Sequence, residues 1–185
     1  MAERLASLAQ IEGALWRQLG AAVGDKAHEW RTPVLATIDN EAADARVVVL
    51  REVDRRNRQM LFYTDERAGK VAQVLKHPHG TVAMWSRRLG WQLRCRVRVA
   101  LEMSGLSASS RWARIRLTSA AKEYLSAMPP GAPLEDVQHP GSGAVSRAYF
   151  AVLAAEVEAI DWLELHPDGN RRAIFDAQGA RWVQP

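Results

Sequence analysis

The segment Trp91–Met103 alternates almost without interruption. Leu93, Cys95, Val97 and Val99 fall on one side of a period-two pattern, and Gln92, Arg94, Arg96 and Arg98 fall on the other. Successive side chains of a strand point to opposite faces, so this is a strand with one apolar and one cationic face. Such a strand needs neighbours to cover its apolar side, and the rest of the chain supplies them. Val34–Ile38 and Arg46–Val53 are β-branched runs separated by Asp39-Asn40-Glu41, which predicts an antiparallel pair. Asp54–Arg58 forms a second polar turn into the strand Gln59–Thr64, and Thr81–Ser86 and Tyr149–Leu165 read as further strands. Ile174-Phe175 and Arg181–Val183, joined by Ala177-Gln178-Gly179, read as a terminal hairpin. Six or seven strands with hairpin-like connections predict a mainly β fold, an antiparallel barrel with peripheral helices.

The helices are fewer. Leu5, Leu8, Ile11, Leu15 and Leu19 recur at spacings of three and four, which predicts an amphipathic helix over Ala2–Leu19. Asp65 is placed to cap a helix running to Lys76, which Pro78 and Gly80 end. Ser107–Ser126 reads as a third helix with a break near Leu117-Thr118. Pro129–Pro133 is a loop, and the irregular stretch continues to Gly143. At 185 residues the expectation is one domain over 1–185, with residues 1–24 forming a helix packed on the barrel.

Composition removes several function classes. No apolar run approaches the roughly 20 residues that cross a bilayer, and Met1–Leu5 lacks the regions of a signal peptide. The expectation is a cytoplasmic protein with no membrane partner. Cys95 is the only cysteine and lies mid-strand on the apolar side, which makes it a buried thiol rather than a nucleophile. His77-Pro78-His79 has no carboxylate or cysteine at ligand spacing, so no metal is expected. No Gly-rich dinucleotide loop, phosphate-binding Walker loop or serine elbow is present. The 25 Lys and Arg against 21 Asp and Glu leave an excess of +4, spread along strands rather than gathered. That balance permits an anionic ligand without calling for nucleic acid. Seven tryptophans supply flat surface for a core, an interface or a planar ligand.

Three places combine cations with hydrogen-bonding groups. Arg46–Arg51 is an apolar strand bracketed by arginines, whose separation of five predicts that they project to opposite faces. Phe62–Lys70 ends a strand in polar residues and opens a helix beside Arg67 and Lys70, a plausible phosphate seat. Trp91-Gln92-Leu93-Arg94 sets an amide and a guanidinium on one strand face.

Taken in order, these segments resemble the pyridoxamine 5′-phosphate oxidase-like flavoproteins, which have an FMN-binding split β-barrel. The resemblance runs from Trp30 to the C-terminus. Its anchors are Arg46-Val-Val-Val-Leu-Arg51, Phe62-Tyr-Thr-Asp65 with Lys70, Trp85 followed by Trp91-Gln92-Leu-Arg94, and a tail with Trp162, Arg172 and Trp182–Pro185. It implies that Arg46 and Lys70 hold the FMN phosphate, with Arg67 as helper. Val47, Val48, Val49 and Leu50 would line the flavin, and Arg51 would lie near the ring and substrate. Tyr63, Thr64 and Gln92 would hydrogen-bond the ring or ribityl chain. Trp162 and Arg172 would arrive from the second subunit of a homodimer. Trp85, Trp91 and Trp112 are expected in the core or the dimer interface.

The departures concern substrate. The family oxidase grips pyridoxal phosphate with Tyr, Arg and Ser at four-residue steps. Here Tyr124 is followed by Met128 and Ala132, and the ungapped alternative is Arg114, Thr118 and Lys122. The family's Arg-x-His near the C-terminus falls on Asp168 and Asn170, and its Ser before the phosphate-binding lysine falls on Ala68. The resemblance therefore implies an FMN-binding oxidoreductase acting on an unidentified small substrate, without vitamin B6 oxidation. A non-catalytic flavin sensor, or a haem- or deazaflavin-binding relative, stands as the alternative. The loop 129–143 is a candidate cover for the flavin through Gln138 and Ser142.

Overall fold

The computed structural model describes residues 4–118, 121, 124–133 and 149–185. Gln138 and Ser142 lie outside the described residues. The first element is helix α1, Leu8–Gly24. A capping box fixes its start: Ser7 Oγ accepts from the Gln10 amide, and Gln10 Oε1 accepts from the Ser7 amide. The helix therefore begins later than its apolar spacing suggests, and it continues past Gly20. Ile11, Leu15, Trp16 and Leu19 form its buried face against the sheet.

Among the described residues nine strands follow, all paired antiparallel: β1 Val34–Asp39, β2 Ala42–Val47, β3 Leu50–Asp54, β4 Gln59–Asp65, β5 His79–Ser86, β6 Trp91–Glu102, β7 Phe150–Glu164, β8 Arg171–Asp176 and β9 Gly179–Val183. Helix α2, Gly69–Lys76, precedes β5, and helix α3, Gly105–Ile115, follows β6. The sheet order is β2-β1-β5-β6-β7-β4-β3, with β8 and β9 continuing from the far end of β7. β7 pairs β6 along one edge and serves two neighbours along the other, β4 through Phe150–Glu156 and β8 through Ile160–Glu164. The β6 alternation holds in three dimensions: Leu93, Cys95, Val97 and Val99 are buried while Arg94, Arg96 and Arg98 are exposed. Burial pushes the Cys95 thiol up to about 12, as an inert core thiol requires.

The expected single strand Arg46–Val53 is in fact two. Its halves are the two edge strands, β2 on β1 and β3 on β4, and Val48-Val49 carries the chain between them. The break is held by the Val48 amide, which donates to the Pro33 carbonyl at 2.9 Å. No pairing joins β2 to β3. The sheet curls until its edges meet only through this crossover, which makes the barrel split rather than closed. Helix α2 also departs from expectation. Its N-cap is Ala68, without a side-chain cap, because Asp65 is buried and engaged with Arg67.

The core runs through the barrel as a row of tryptophans: Trp30 lies tilted 6.4 Å from Trp91, and Trp91 meets Trp162 edge-on at 5.5 Å. A second cluster joins Leu61, Tyr124, Phe150 and Val152, with Trp112 of α3 packed on it. Buried Glu164 accepts from Trp91 Nε1, Arg171 and Arg4, tying the N-terminal segment to the barrel's end.

Candidate functional site

The crossover that splits the barrel also opens a cleft of about 200 Å³. Arg46, Val47, Val48, Val49 and Arg51 line one wall, and Tyr63, Lys70, Tyr124 and Leu153 complete it. Arg46 and Arg51 were expected on opposite faces, but both line this cleft. Side-chain parity holds only along one continuous strand, and the break at Val48-Val49 resets it. Leu50 points the other way and is fully buried in the core.

The cations are not equivalent. All four terminal N–H groups of Arg46 are engaged, by Leu35 O, Thr37 Oγ1, Asp44 and Gln73 Oε1. Gln73 also donates to Asp44 at 2.8 Å, so Arg46 is a fixed charge with its remaining donor at Nε. Lys70 makes one hydrogen bond, from Nζ to Thr64 Oγ1 at 3.1 Å, and has no carboxylate in direct contact among the described residues. Burial, then the charge of Arg46, holds its ammonium below the usual lysine range. A half-buried ammonium beside a second cation, at a helix start without a capping side chain, is a donor set that suits an anion.

Thr64 is buried, receives Lys70 and donates to Asp65 O. Arg67 is committed elsewhere. Its guanidinium pairs with both Asp65 oxygens, donates to Ser126 O and Ala127 O, and lies 3.4 Å from the Tyr149 ring centre. It fastens the 126–128 segment rather than facing the cleft.

At the other end Tyr63 Oη donates to Glu52 Oε1 at 2.5 Å. Burial pushes the Glu52 carboxyl up, but Tyr63, Arg111 and Arg114 outweigh it and leave Glu52 below the usual carboxylate range. Burial and this bond raise the Tyr63 phenol, so its proton stays on Glu52's side and its oxygen is an acceptor toward the cleft. Sequence reasoning missed Glu52, Gln73 and Asp44. Glu52 and Gln73 act through partners distant in the chain, Asp44 joins Gln73 as well as nearby Arg46, and no local motif marks them.

Gln92, Trp162 and Arg172 lie away from the cleft. Cross-strand pairing aligns Trp85, Gln92, Leu163, Arg172 and Val183 in one row across β5–β9. Gln92 and Arg172 thus share the outer face with exposed Trp85. Arg172 pairs with Asp161 at 2.7 Å, and Arg94 pairs with the same carboxylate. Trp162 pairs Ala173 in the adjacent register, faces the interior and has no exposed surface. It does not share a face with Arg172. β8 pairs the Ile160–Glu164 end of β7, where Leu163 stands opposite Arg172, ten residues and roughly 33 Å along the strand from cleft-lining Leu153, and Arg172 is not among the residues that line the cleft. Trp91 is core, Trp112 packs on the second cluster and Trp85 is exposed.

Residues 13–102 match the family model described as pyridoxamine 5′-phosphate oxidase, FMN-binding domain. Among curated proteins nothing matches in sequence. Solved structures match through the fold. A pyridoxamine 5′-phosphate oxidase-related, FMN binding protein from Nostoc punctiforme superposes with a TM-score of 0.73 at 22% identity, covering 97% of this chain and 100% of that one. PhzG from Burkholderia lata, solved with tetrahydrophenazine-1-carboxylic acid, gives 0.73 at 16% identity over 95% of this chain and 92% of its own. General Stress Protein 26 from Bacillus anthracis gives 0.53 at 14% identity over 80% and 92%. The matched segment contains the whole crossover, Tyr63, Lys70 and Gln92, and β7–β9 extend the same antiparallel architecture beyond it. Residues 13–102 therefore match the pyridoxamine 5′-phosphate oxidase FMN-binding domain model, and the chain has a split β-barrel fold.

Proposed function

We propose that this protein binds FMN non-covalently at the β2–β3 crossover and acts as an oxidoreductase on a small molecule other than pyridoxamine phosphate. The observation that carries this reading is Lys70, a half-buried cation beside Arg46 without an acidic contact among the described residues. A phosphate dianion offsets both charges, accepts from Lys70 Nζ and Arg46 Nε, and takes the uncapped amides of α2. Tyr63, bound to Glu52 through its proton, accepts from a ribityl hydroxyl or a ring N–H. Val47–Val49 offer an apolar edge to the ring. When bound, FMN supplies reversible hydride and electron exchange. Arg51 holds positive charge near the ring, where a reduced flavin accumulates negative charge.

The working unit in this reading is a homodimer. A cleft of about 200 Å³ falls below the roughly 300–1,000 Å³ typical of sites that enclose a cofactor-sized molecule. The outer face carrying Gln92, Trp85 and Arg172 supplies the missing wall from a second copy. Trp162, buried within its own protomer, has no part in that wall.

The pH dependence of binding follows from Lys70. Its folded pKa lies below the ordinary lysine value, and phosphate binds the protonated form. FMN affinity is therefore expected to be level above the phosphate's own ionisation and to fall as pH rises through the Lys70 pKa, earlier than an ordinary lysine would dictate. Over the same window apoprotein stability rises, because the unfolded chain holds the proton that the folded chain has lost. FMN titrations and melting curves across alkaline pH measure both; affinity that is flat until the ordinary lysine range contradicts the assignment. Mixing the FMN-loaded protein with NADH or NADPH without oxygen separates the enzyme from a flavin sensor. Bleaching at a useful rate supports turnover, and none supports the sensor.

A further inference from the structure

The cleft-lining cations Arg46 and Lys70 stand on different elements, β2 and α2, and their like charges drive them apart. One side chain bonds across that gap. Gln73 follows Lys70 by three residues, so the two lie on the same side of α2 about one turn apart. Gln73 is buried and is not among the residues that line the cleft. Its Oε1 accepts from Arg46 Nη2 at 2.8 Å and from Thr37 Oγ1 at 2.6 Å, and its Nε2 donates to Asp44 Oδ2 at 2.8 Å. Thr37 Oγ1 in turn accepts from Arg46 Nη1, and Asp44 accepts from Arg46 Nη2. The bonds close on themselves, and Gln73 is the member that α2 contributes.

This network calls for an amide. Two donors converge on the oxygen and a carboxylate faces the nitrogen, so the side chain must accept and donate at once without carrying charge. An apolar residue would pack α2 on the sheet as buried Val71 and Val74 do, but it would leave the buried Thr37 hydroxyl without its acceptor. The Gln73 amide is also the chief influence that holds the Asp44 carboxyl below the usual carboxylate range. Ionised Asp44 then offsets part of the charge that Arg46 imposes on Lys70.

Resting on the FMN reading, we propose that Gln73 is the positioning residue for phosphate recognition: it touches no ligand, and it fixes Arg46 against α2 so that Arg46 Nε and Lys70 Nζ form one seat. The preference of the site for a phosphate over a hydroxyl then depends on a neutral group at position 73 that both accepts and donates.

The test titrates FMN and riboflavin, which lacks the phosphate, into the cofactor-free protein and two variants. Gln73→Leu is expected to lower FMN affinity about tenfold, the effect of one charge-assisted contact, and to leave riboflavin affinity unchanged. Gln73→Glu keeps the shape but sets a second carboxylate against Asp44, and it is expected to lose the FMN preference to a similar extent at about pH 8. Two carboxylates this close hold one shared proton to higher pH than either would alone. That proton restores the donor that Gln73 supplies, so the preference of Gln73→Glu is expected to return as pH falls toward about 5. It is read relative to the parent at each pH, so that the phosphate's own ionisation cancels. A merely structural role weakens both ligands together and shows no such recovery. Variants that keep the parent's preference, that lose FMN and riboflavin in equal proportion, or a Gln73→Glu protein that does not recover in acid overturn the proposal. Where Gln73→Leu fails to fold, Gln73→Glu decides by its recovery. Failure of the cofactor reading shows separately, on the parent: no preference for FMN over riboflavin before any substitution overturns that reading and the proposal with it.

Discussion

Lys70→Met is expected to lower FMN affinity by roughly 10- to 100-fold, the worth of one charge-assisted hydrogen bond of about 1.5–3 kcal/mol. The same substitution is expected to leave the melting temperature of the cofactor-free protein unchanged or raised. The two halves follow from one fact: the ammonium is half-buried, repelled by Arg46 and, among the described residues, bonded only to Thr64. Methionine keeps the length and apolar stem while removing a charge that costs stability when no anion is present. Thr64 loses a donor but keeps its own bond to Asp65 O. Arg46 is a poorer position for this experiment, because removing it strips partners from Thr37, Asp44 and Gln73 at once. FMN titration and thermal melting of the cofactor-free variant are the measurements. A variant that melts well below the parent while binding FMN normally reverses both halves and contradicts the site.

Trp162→Ala is expected to cost about 3–5 kcal/mol, the range for truncating a large buried aromatic. For a chain of this size that lowers the melting temperature by roughly 10 °C or more. Trp162 has no exposed surface and sits between Trp91 at 5.5 Å and Trp182 at 6.2 Å. Among the described residues its Nε1 has no hydrogen-bond partner, so Trp162→Phe loses volume but no bond and is expected to keep FMN affinity at the parent value. A partner-subunit role at the flavin, which the family resemblance implies, makes the opposite prediction: Phe at this position weakens FMN while melting changes little. Melting curves and FMN titrations of the two variants decide between them.

These cases show what the sequence carried and what it did not. The faces of β6 were legible because a strand's parity is local, and ten consecutive residues sufficed to assign them. The family anchors were legible for the same reason. The break at Val48-Val49 was not, since an unbroken apolar run carries no mark of where a chain leaves one sheet edge for another. The bond that holds it comes from Pro33, on the far side of a hairpin. That one miss placed Arg51 on the wrong side of the strand relative to Arg46. Arg67 looked like a phosphate ligand by position, but Asp65, two residues earlier, and Tyr149, far away in sequence, claim its guanidinium. The resemblance sets Trp162 and Arg172 together at the flavin, yet a shared tail does not give register. The β7–β8 pairing sets Leu163, not Trp162, opposite Arg172. Glu52 was invisible for the complementary reason: its meaning depends on α3, whose arginines reach it across 59 and 62 residues.

The central claim is that the crossover cleft recognises a flavin by its phosphate, and a paired titration with FMN and riboflavin tests it most directly. The two ligands share the ring and ribityl chain and differ in the group assigned to Lys70 and Arg46. The account predicts that FMN stays with the protein through desalting, with the two visible bands of oxidised flavin. It also predicts that riboflavin binds at least about tenfold more weakly, as loss of a charge-assisted contact requires. Equal affinity for the two, or a protein that takes up neither, contradicts it.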